Sequence, residues 1–455
     1  MSKLLQQRRA GVLLHPTSLP SGKLDGDVER WLDFMAQACL SVWQVLPLVI
    51  PDHTGSPYQS CSAFAANPGL LDSALPDVEV DPQALAGFYR EHQAWLPDFA
   101  RFQVLRQRYP ELSWNQWPAR YRDRHPDAME ELEHEFSAEF ENFVRLQFLL
   151  EQRWQAIRRY AAERDILLFG DMPIFVALDS ADVWANRAEF LLDPEGRPEV
   201  VSGVPPDYFS ESGQRWGNPH YNWDVMQGNN FRWWKARLRR KFQWFDIVRL
   251  DHFRGLQASW MIPADCETAI EGHWQQVPGR ALLSELRQAN PELPIVAEDL
   301  GIITPEVTML RKDFDFPGMS VLQFAFDGAP DNPHRPCNIT ADHVAYSGTH
   351  DNNTTRGWFD SLEPDTRRYV MQVLDGTEDD DIVDLLNTRL MEAKANLAIV
   401  PLQDVLGLGA EARMNTPGLV KGNWDWRFDW SQLGDWQGIS ALRQLIEKTG
   451  RCHAS

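Results

Sequence analysis

Residues 247–254 read Ile-Val-Arg-Leu-Asp-His-Phe-Arg. A short β-branched, apolar run ends on an acid and then turns polar, the pattern of a buried strand that delivers a carboxylate to a loop. Side chains alternate along a strand, so Arg249 and Asp251 share one side of it. The same pattern recurs along the chain. Apolar runs at 10–14, 42–48, 166–169, 294–297, 320–326, 343–346 and 397–402 each give way to polar or turn-forming residues. With 245–250 they make eight candidate strands.

Between several of these runs lie helical patterns. In 141–162, Phe143, Leu146, Leu150, Trp154, Ile157 and Tyr160 recur at three- and four-residue spacing. Strands alternating with helices imply a parallel sheet, and eight of them predict a (β/α)8 TIM barrel. An open doubly wound sheet reads similarly at this level. Residues 72–145, rich in Arg, Glu and aromatics, are expected to form a helical insertion. The Pro-, Gly- and Asn-rich stretch 186–232 is expected to be a long ordered loop over the mouth. No repeat or low-complexity linker divides the chain, so residues 1–455 are read as a single barrel domain carrying these insertions.

Composition narrows the function classes. The formal charge is −21 over 455 residues, which disfavours nucleic acid and anionic membrane surfaces as partners. No apolar run approaches the ~20 residues that span a bilayer, and the first residues lack a signal-peptide core. A cytoplasmic location is therefore expected. Five cysteines (Cys39, Cys61, Cys266, Cys337, Cys452) contain no CxxC pair, which predicts free thiols rather than a zinc site or disulfide framework. Most of the 19 Trp, 9 Tyr and 23 Phe residues must be core, but aromatic faces also stack on sugar rings, so the count favours carbohydrate only slightly.

Acids collect just after the predicted strands, where barrel active sites form. They are Asp171 after 166–169, Asp251 after 245–250, Glu298 and Asp299 after 294–297, and Asp351, beside His350, after 343–346. A lone example is an ordinary cap or ion-pair partner. Several at one mouth repel one another, which raises the pKa of one and leaves another charged. That is the acid-plus-nucleophile arrangement of retaining glycoside chemistry. A metal hydrolase gathers similar residues, usually with His-x-His or a bridging lysine, and neither occurs at these strand ends. A phosphate-binding barrel wants glycine-rich backbone late in the chain, and 406–409 offers it only weakly. No metal or other cofactor is expected.

Ordered motifs then run along nearly the whole chain. They include Gly11-Val-Leu-Leu-His-Pro-Thr-Ser-Leu-Pro-Ser-Gly22, Trp43-Gln-Val-Leu-Pro47, Gly55-Ser-Pro-Tyr-Gln59, Ala66-Asn-Pro68 and Gly170-Asp-Met-Pro-Ile-Phe-Val176. Gly203-Val-Pro-Pro-Asp-Tyr-Phe-Ser-Glu-Ser-Gly-Gln-Arg-Trp-Gly-Asn-Pro219 follows, then Arg249-Leu-Asp-His-Phe-Arg-Gly255, Ala297-Glu-Asp-Leu-Gly301, Gly348-Thr-His-Asp-Asn352 and Arg413-Met-Asn-Thr-Pro-Gly418. With these motifs in this order the chain resembles the amylomaltases, or 4-α-glucanotransferases, the disproportionating enzymes related to α-amylases.

The resemblance implies transfer of α-1,4-glucan segments among maltooligosaccharides, maltodextrin and glucose, without cofactor. It implies Asp251 as nucleophile, Glu298 as acid/base and Asp351 as stabiliser of the distorted sugar ring. Arg249 is expected to keep Asp251 anionic, and His350 and Asn415 to contact the same sugar. Asp171 joins the implied substrate contacts. Tyr58 is expected to stack at the donor side and Trp216 to sit near the acceptor side. Asp207, Tyr208 and Phe209 would reach over the bound glucan from the 203–219 cover, which would keep water from the glucosyl-enzyme. One departure is visible. Where the family carries Gly-Ile-Gly-Asp-Leu-Gly, this chain reads Lys23-Leu-Asp-Gly-Asp-Val-Glu29, which puts that loop's glucan contacts in question. Without the long N-terminal extension of some relatives, no separate starch-binding module is expected. A plain α-glucan hydrolase and a catalytically silent sugar binder remain the alternatives.

Overall fold

The computed structural model describes all residues except 76–77, 207–209, 434–436 and 453–455. Among the described residues twelve strands occur in chain order: β1 (Arg9–Leu13), β2 (Val42–Gln44), β3 (Leu167–Pro173), β4 (Val200–Val204), β5 (Gln214–Pro219), β6 (Ile247–Asp251), β7 (Ala258–Pro263), β8 (His273–Gln276), β9 (Ile295–Ala297), β10 (Gly318–Val321), β11 (His343–Tyr346) and β12 (Leu397–Pro401). Eight form one parallel sheet in the order β10-β11-β12-β1-β2-β3-β6-β9. The sheet curls until its two edges meet. Ala297 N–H donates to Pro317 O at 2.8 Å, and Met319 N–H donates to Asp299 Oδ1 at 2.8 Å. The barrel expected from sequence is thus present, and its eight strands fall on the eight apolar runs, with β10 beginning slightly early.

Strand alternation separates two apolar layers. Ile247 packs inside the barrel with Leu13, Val42, Phe169, Val296 and Met319. Val248 and Leu250 pack outward against the helices. Arg249 and Asp251 occupy the inward positions above Ile247, so the alternation itself aims both at the mouth. At Gly170 the ring of Phe245 fills the outward space, and an added Cβ would lie 2.2 Å from it. Its neighbour Asp171 faces inward.

Between β2 and β3, helices Pro82–Glu91, Leu96–Arg108, Ala119–Arg122 and Pro126–Glu135 precede the long helix Ser137–Ala162. They close over buried Trp95, Phe99, Phe102, Trp114 and Trp117. Residues 186–232 hold more regular structure than a loop. β4 and β5 from this stretch join β7 and β8 in a four-stranded antiparallel sheet ordered β5-β4-β7-β8. The Lys23–Glu29 departure builds a helix start. Asp25 accepts the Asp27 N–H to cap helix Gly26–Gln37, and Asp27 accepts Ser21 N–H and Trp430 Nε1.

The cysteine expectation needs correction. Cys39 and Cys452 are disulfide-bonded, with Cα atoms 5.2 Å apart, and only Cys61, Cys266 and Cys337 are free. Spacing could not reveal a pair 413 residues apart. Barrel closure brings it together, because β1 pairs with β12 and the segments following each strand meet outside that seam. Beside the disulfide, fully buried Arg451 donates to the carbonyls of Met391, Ala393, Ala395 and Asn396. Among the described residues no helix is long and apolar enough to cross a membrane.

Candidate active site

At the C-terminal mouth of the barrel lies a cleft of about 290 Å³, lined in part by Tyr58, Trp216, Asp251, Glu298, Asp351 and Trp424. The three carboxylates expected to do the chemistry therefore share one cavity. Each arrives from a different strand end: Asp251 from β6, Glu298 just past β9, and Asp351 from the turn after β11.

Asp251 Oδ1 is 2.7 Å from Arg249 Nη2. The other terminal nitrogen of Arg249 lies 2.7 Å from Asp171 Oδ2, which also accepts the Tyr58 hydroxyl at 2.9 Å. Arg249 and Asp171 are 5% and 1% exposed. Neither is among the residues lining the cleft: Arg249 holds Asp251 from beneath it, and Asp171 holds Arg249 and Tyr58. Burial raises the Asp171 carboxyl, Arg249 opposes that, and Asp251 adds to it.

The chain turns sharply after Asp251. His252 adopts a left-handed backbone, φ 54° and ψ 51°, a conformation that costs a non-glycine residue roughly 1–2 kcal/mol. The turn aims His252 N–H at Glu298 Oε2, at 2.7 Å. Glu298 Oε1 accepts Leu300 N–H at 2.9 Å. Burial lifts the Glu298 carboxyl to about 7, against the pull of Arg249 and with the help of the Asp251 charge. A carboxyl at that value can hold or release its proton near neutral pH.

Asp351 is set from the far wall. Asn415 Nδ2 donates to its Oδ1 at 2.6 Å, His350 Nε2 lies 3.3 Å from the same oxygen, and Arg413 donates to its backbone carbonyl at 2.6 Å. Asn415 and His350 thus line the cleft and orient Asp351 as well. The Tyr58 ring stacks on His350 at 5.2 Å between centroids, with Trp424 6.1 Å away. Opposite, Trp216 meets the His252 ring edge-on at 4.8 Å. Asp207, Tyr208 and Phe209 lie outside the described residues.

Sequence reasoning passed over several lining groups. Trp424 and His252 are two. Gln59 and Asn218 are two more, whose amides exchange hydrogen bonds at 3.2 and 3.3 Å across the cleft wall. Both amides sit inside motifs already singled out, Ser-Pro-Tyr-Gln and Arg-Trp-Gly-Asn-Pro, where aromatic neighbours drew the attention. Asp299, one of the acidic strand ends, closes the barrel and pairs with Arg311 at 3.1 Å. Among the described residues, one group of His, Cys, Asp and Glu could share a metal ion: Cys39, Glu447 and Cys452. Two of its three ligands are bonded to each other.

Comparison with known proteins shows the family. A family model described as 4-alpha-glucanotransferase matches residues 13–83 and 74–432. The 4-alpha-glucanotransferase of Thermus thermophilus is 42% identical over 98% of this chain and 99% of its own length. That of Synechocystis is 41% identical over 95% and 96%. The amylomaltase of Streptococcus agalactiae, solved in complex with acarbose, superposes with a TM-score of 0.94 at 30% identity, covering 98% of this chain and all of that one. With its barrel, its three mouth carboxylates and these relatives, the chain belongs to the 4-alpha-glucanotransferase family.

Proposed function

We propose that this enzyme moves α-1,4-glucan segments from one maltooligosaccharide to another, or to glucose, by a retaining double displacement. The observation that carries the reading is the convergence of Asp251, Glu298 and Asp351 in one aromatic-walled cleft. In the first step the Asp251 carboxylate attacks the anomeric carbon as the glycosidic C–O bond breaks. Glu298 gives its proton to the departing oxygen. In the second step the resulting Glu298 carboxylate takes the proton of an acceptor hydroxyl, whose oxygen displaces Asp251 with the original configuration restored.

Each neighbour supports one part of that cycle. Arg249 at 2.7 Å holds the nucleophile in place by charge and hydrogen bond. The raised Glu298 carboxyl supplies the proton at neutral pH. Asp351, fixed by Asn415 and His350, faces the ring on which positive charge develops. Tyr58 and Trp424 on one wall and Trp216 on the other supply flat apolar surfaces for sugar rings. Asp207, Tyr208 and Phe209 belong to the proposal as the cover that limits water.

Incubation with maltotriose tests it. Transfer gives glucose plus a ladder of longer glucans, whereas hydrolysis gives short sugars alone and a sugar binder leaves maltotriose intact. Asp251→Asn is expected to lose several orders of magnitude in turnover with unchanged thermal unfolding. A folded Asp251→Asn enzyme with near-normal transfer would sink the nucleophile assignment. A cytoplasmic location is part of the proposal. The Cys39–Cys452 disulfide weighs against a reducing compartment, and fractionation of the source cells decides it.

A further inference from the structure

β5 is not held along its whole length by its partner strand. Its ladder with β4 pairs Gln214 with Val204 and Arg215 with Gly203, then resumes at Pro219 with Val201. Residues 216–218 therefore stand opposite Ser202 alone, as a bulge. A bulge takes its extra residues out of the ladder, and beside an active site it re-aims a side chain. Gly217, at φ 82°, supplies the left-handed backbone of the bend. Trp216 and Asn218, on either side of it, both line the cleft. Backbone pairing alone thus does not fix the distance of Trp216 from the opposite wall.

Side chains supply what the ladder does not. Asn218 is 5% exposed. Gln59 Nε2 donates to its Oδ1 at 3.2 Å, and its own Nδ2 donates to Gln59 Oε1 at 3.3 Å. The Ser202 hydroxyl donates to the same Oδ1 at 3.4 Å. Only a pair of amides can exchange bonds in this way, because each offers a donor beside an acceptor. Gln59 stands on a stiff loop. Asp52 Oδ1 accepts the N–H groups of Thr54 at 2.8 Å and Ser56 at 3.1 Å. Tyr58, one residue before Gln59, is pinned through its hydroxyl to Asp171. The amide pair therefore ties the bulge that carries Trp216 to the loop that carries Tyr58.

We propose that Gln59 and Asn218 are positioning residues that act together as one latch. They hold Trp216 at a set distance from the Tyr58 wall, so that an acceptor sugar meets the glucosyl-enzyme in a reactive pose. This rests on the proposed double displacement, with Trp216 on the acceptor side. Water needs no aromatic wall to align it, whereas an acceptor sugar does. Opening the latch therefore costs transfer more than hydrolysis, and it admits water to the intermediate.

The test compares Gln59→Ala, Asn218→Ala and the double variant, with maltotriose as donor and labelled glucose as acceptor. Each single variant should raise the KM for glucose about 10-fold and raise the hydrolysed share of product by a similar factor. The double variant should be no worse than the weaker single one, since residues that act as a unit are not additive. Losses that multiply in the double variant would mean that each amide meets the glucan by itself, and would overturn the latch. So would a lowered Tm with an unchanged ratio of transfer to hydrolysis, the mark of a purely structural pair. Gln59 is half-buried on a loop, so Gln59→Ala alone carries the ratio test if Asn218→Ala does not fold. Wild-type enzyme that only hydrolyses maltotriose would instead refute the transferase reading on which the latch rests.

Discussion

Arg249 divides its guanidinium between two acids, giving one terminal nitrogen to Asp171 and the other to Asp251, each at 2.7 Å. A fork with two donor ends can do this, and an ammonium cannot. Arg249→Lys should therefore keep the charge yet leave one buried carboxylate without its partner and let Asp251 drift. A displacement of about 1 Å at a reacting atom costs on the order of 100-fold in rate. The expected result is a fall of that size in kcat on maltotriose, with KM changed by a few-fold at most and a lower Tm. A Lys variant with normal kcat would show that Asp251 is held by other means.

Glu298 sets the alkaline side of the pH profile. Its carboxyl is raised to about 7, burial being the main cause, and the first step needs the protonated form. As pH rises through that value the proton is lost, so kcat/KM on maltotriose should fall about tenfold per unit above roughly pH 7. Stability follows the same sign. The native state holds this proton more tightly than the unfolded chain, so the contribution is complete below the ordinary carboxyl value of 4.5 and is lost as pH passes about 7. Tm should drop between pH 6 and pH 8 in the wild type, and drop less in Glu298→Gln. Equal drops in the two proteins would remove Glu298 as the source.

Much of this arrangement was legible in the sequence because strands and acids leave local signals. The alternation of Ile247, Arg249 and Asp251 aims all three inward, and a strand end followed by a polar turn marks the mouth. What escaped was set by tertiary closure. Asp299 reads like another mouth acid, but its distance from the cleft depends on where β9 meets β10. Cys39 and Cys452 become neighbours only when β1 pairs with β12. Asp171 and Asn415 were expected to touch sugar. The first lies beneath the cleft with Tyr58 and Arg249, and the second lines the cleft and also donates to Asp351. A sequence motif names such residues without saying which layer of the site they occupy.

The Cys39–Cys452 bond ties the segment after β1 to the segment after β12 and so clasps the seam where the chain's two ends complete the barrel. A cross-link across 413 residues removes a large loop-closure entropy from the unfolded chain, about 6 kcal/mol in the chain-entropy account. Spread over the unfolding entropy of a protein this size, that corresponds to about 6 °C in Tm. Reduction by a dithiol should lower Tm by that amount, and Cys39→Ser should show the lower value with or without reductant. Maltotriose transfer at 25 °C should not change, since the bond lies outside the barrel and away from the cleft. A non-reducing peptide map without the Cys39–Cys452 cross-link would end this account.

Glu298→Gln separates the two halves of the reaction. The amide cannot protonate an alkoxide leaving group, so transfer from maltotriose should fall by several orders of magnitude. α-Glucosyl fluoride is different, because fluoride departs with little need of a proton. The variant should therefore still form the covalent glucosyl-enzyme on Asp251. It then lacks the base that activates an acceptor hydroxyl, so the intermediate should accumulate and register as one added glucosyl mass on the intact protein. Azide needs no base, and it should discharge the intermediate as glucosyl azide. Two inversions at the anomeric carbon give the α product. A β-glucosyl azide would mean that azide displaced fluoride directly, in one inversion, and Asp251 could not then be the nucleophile.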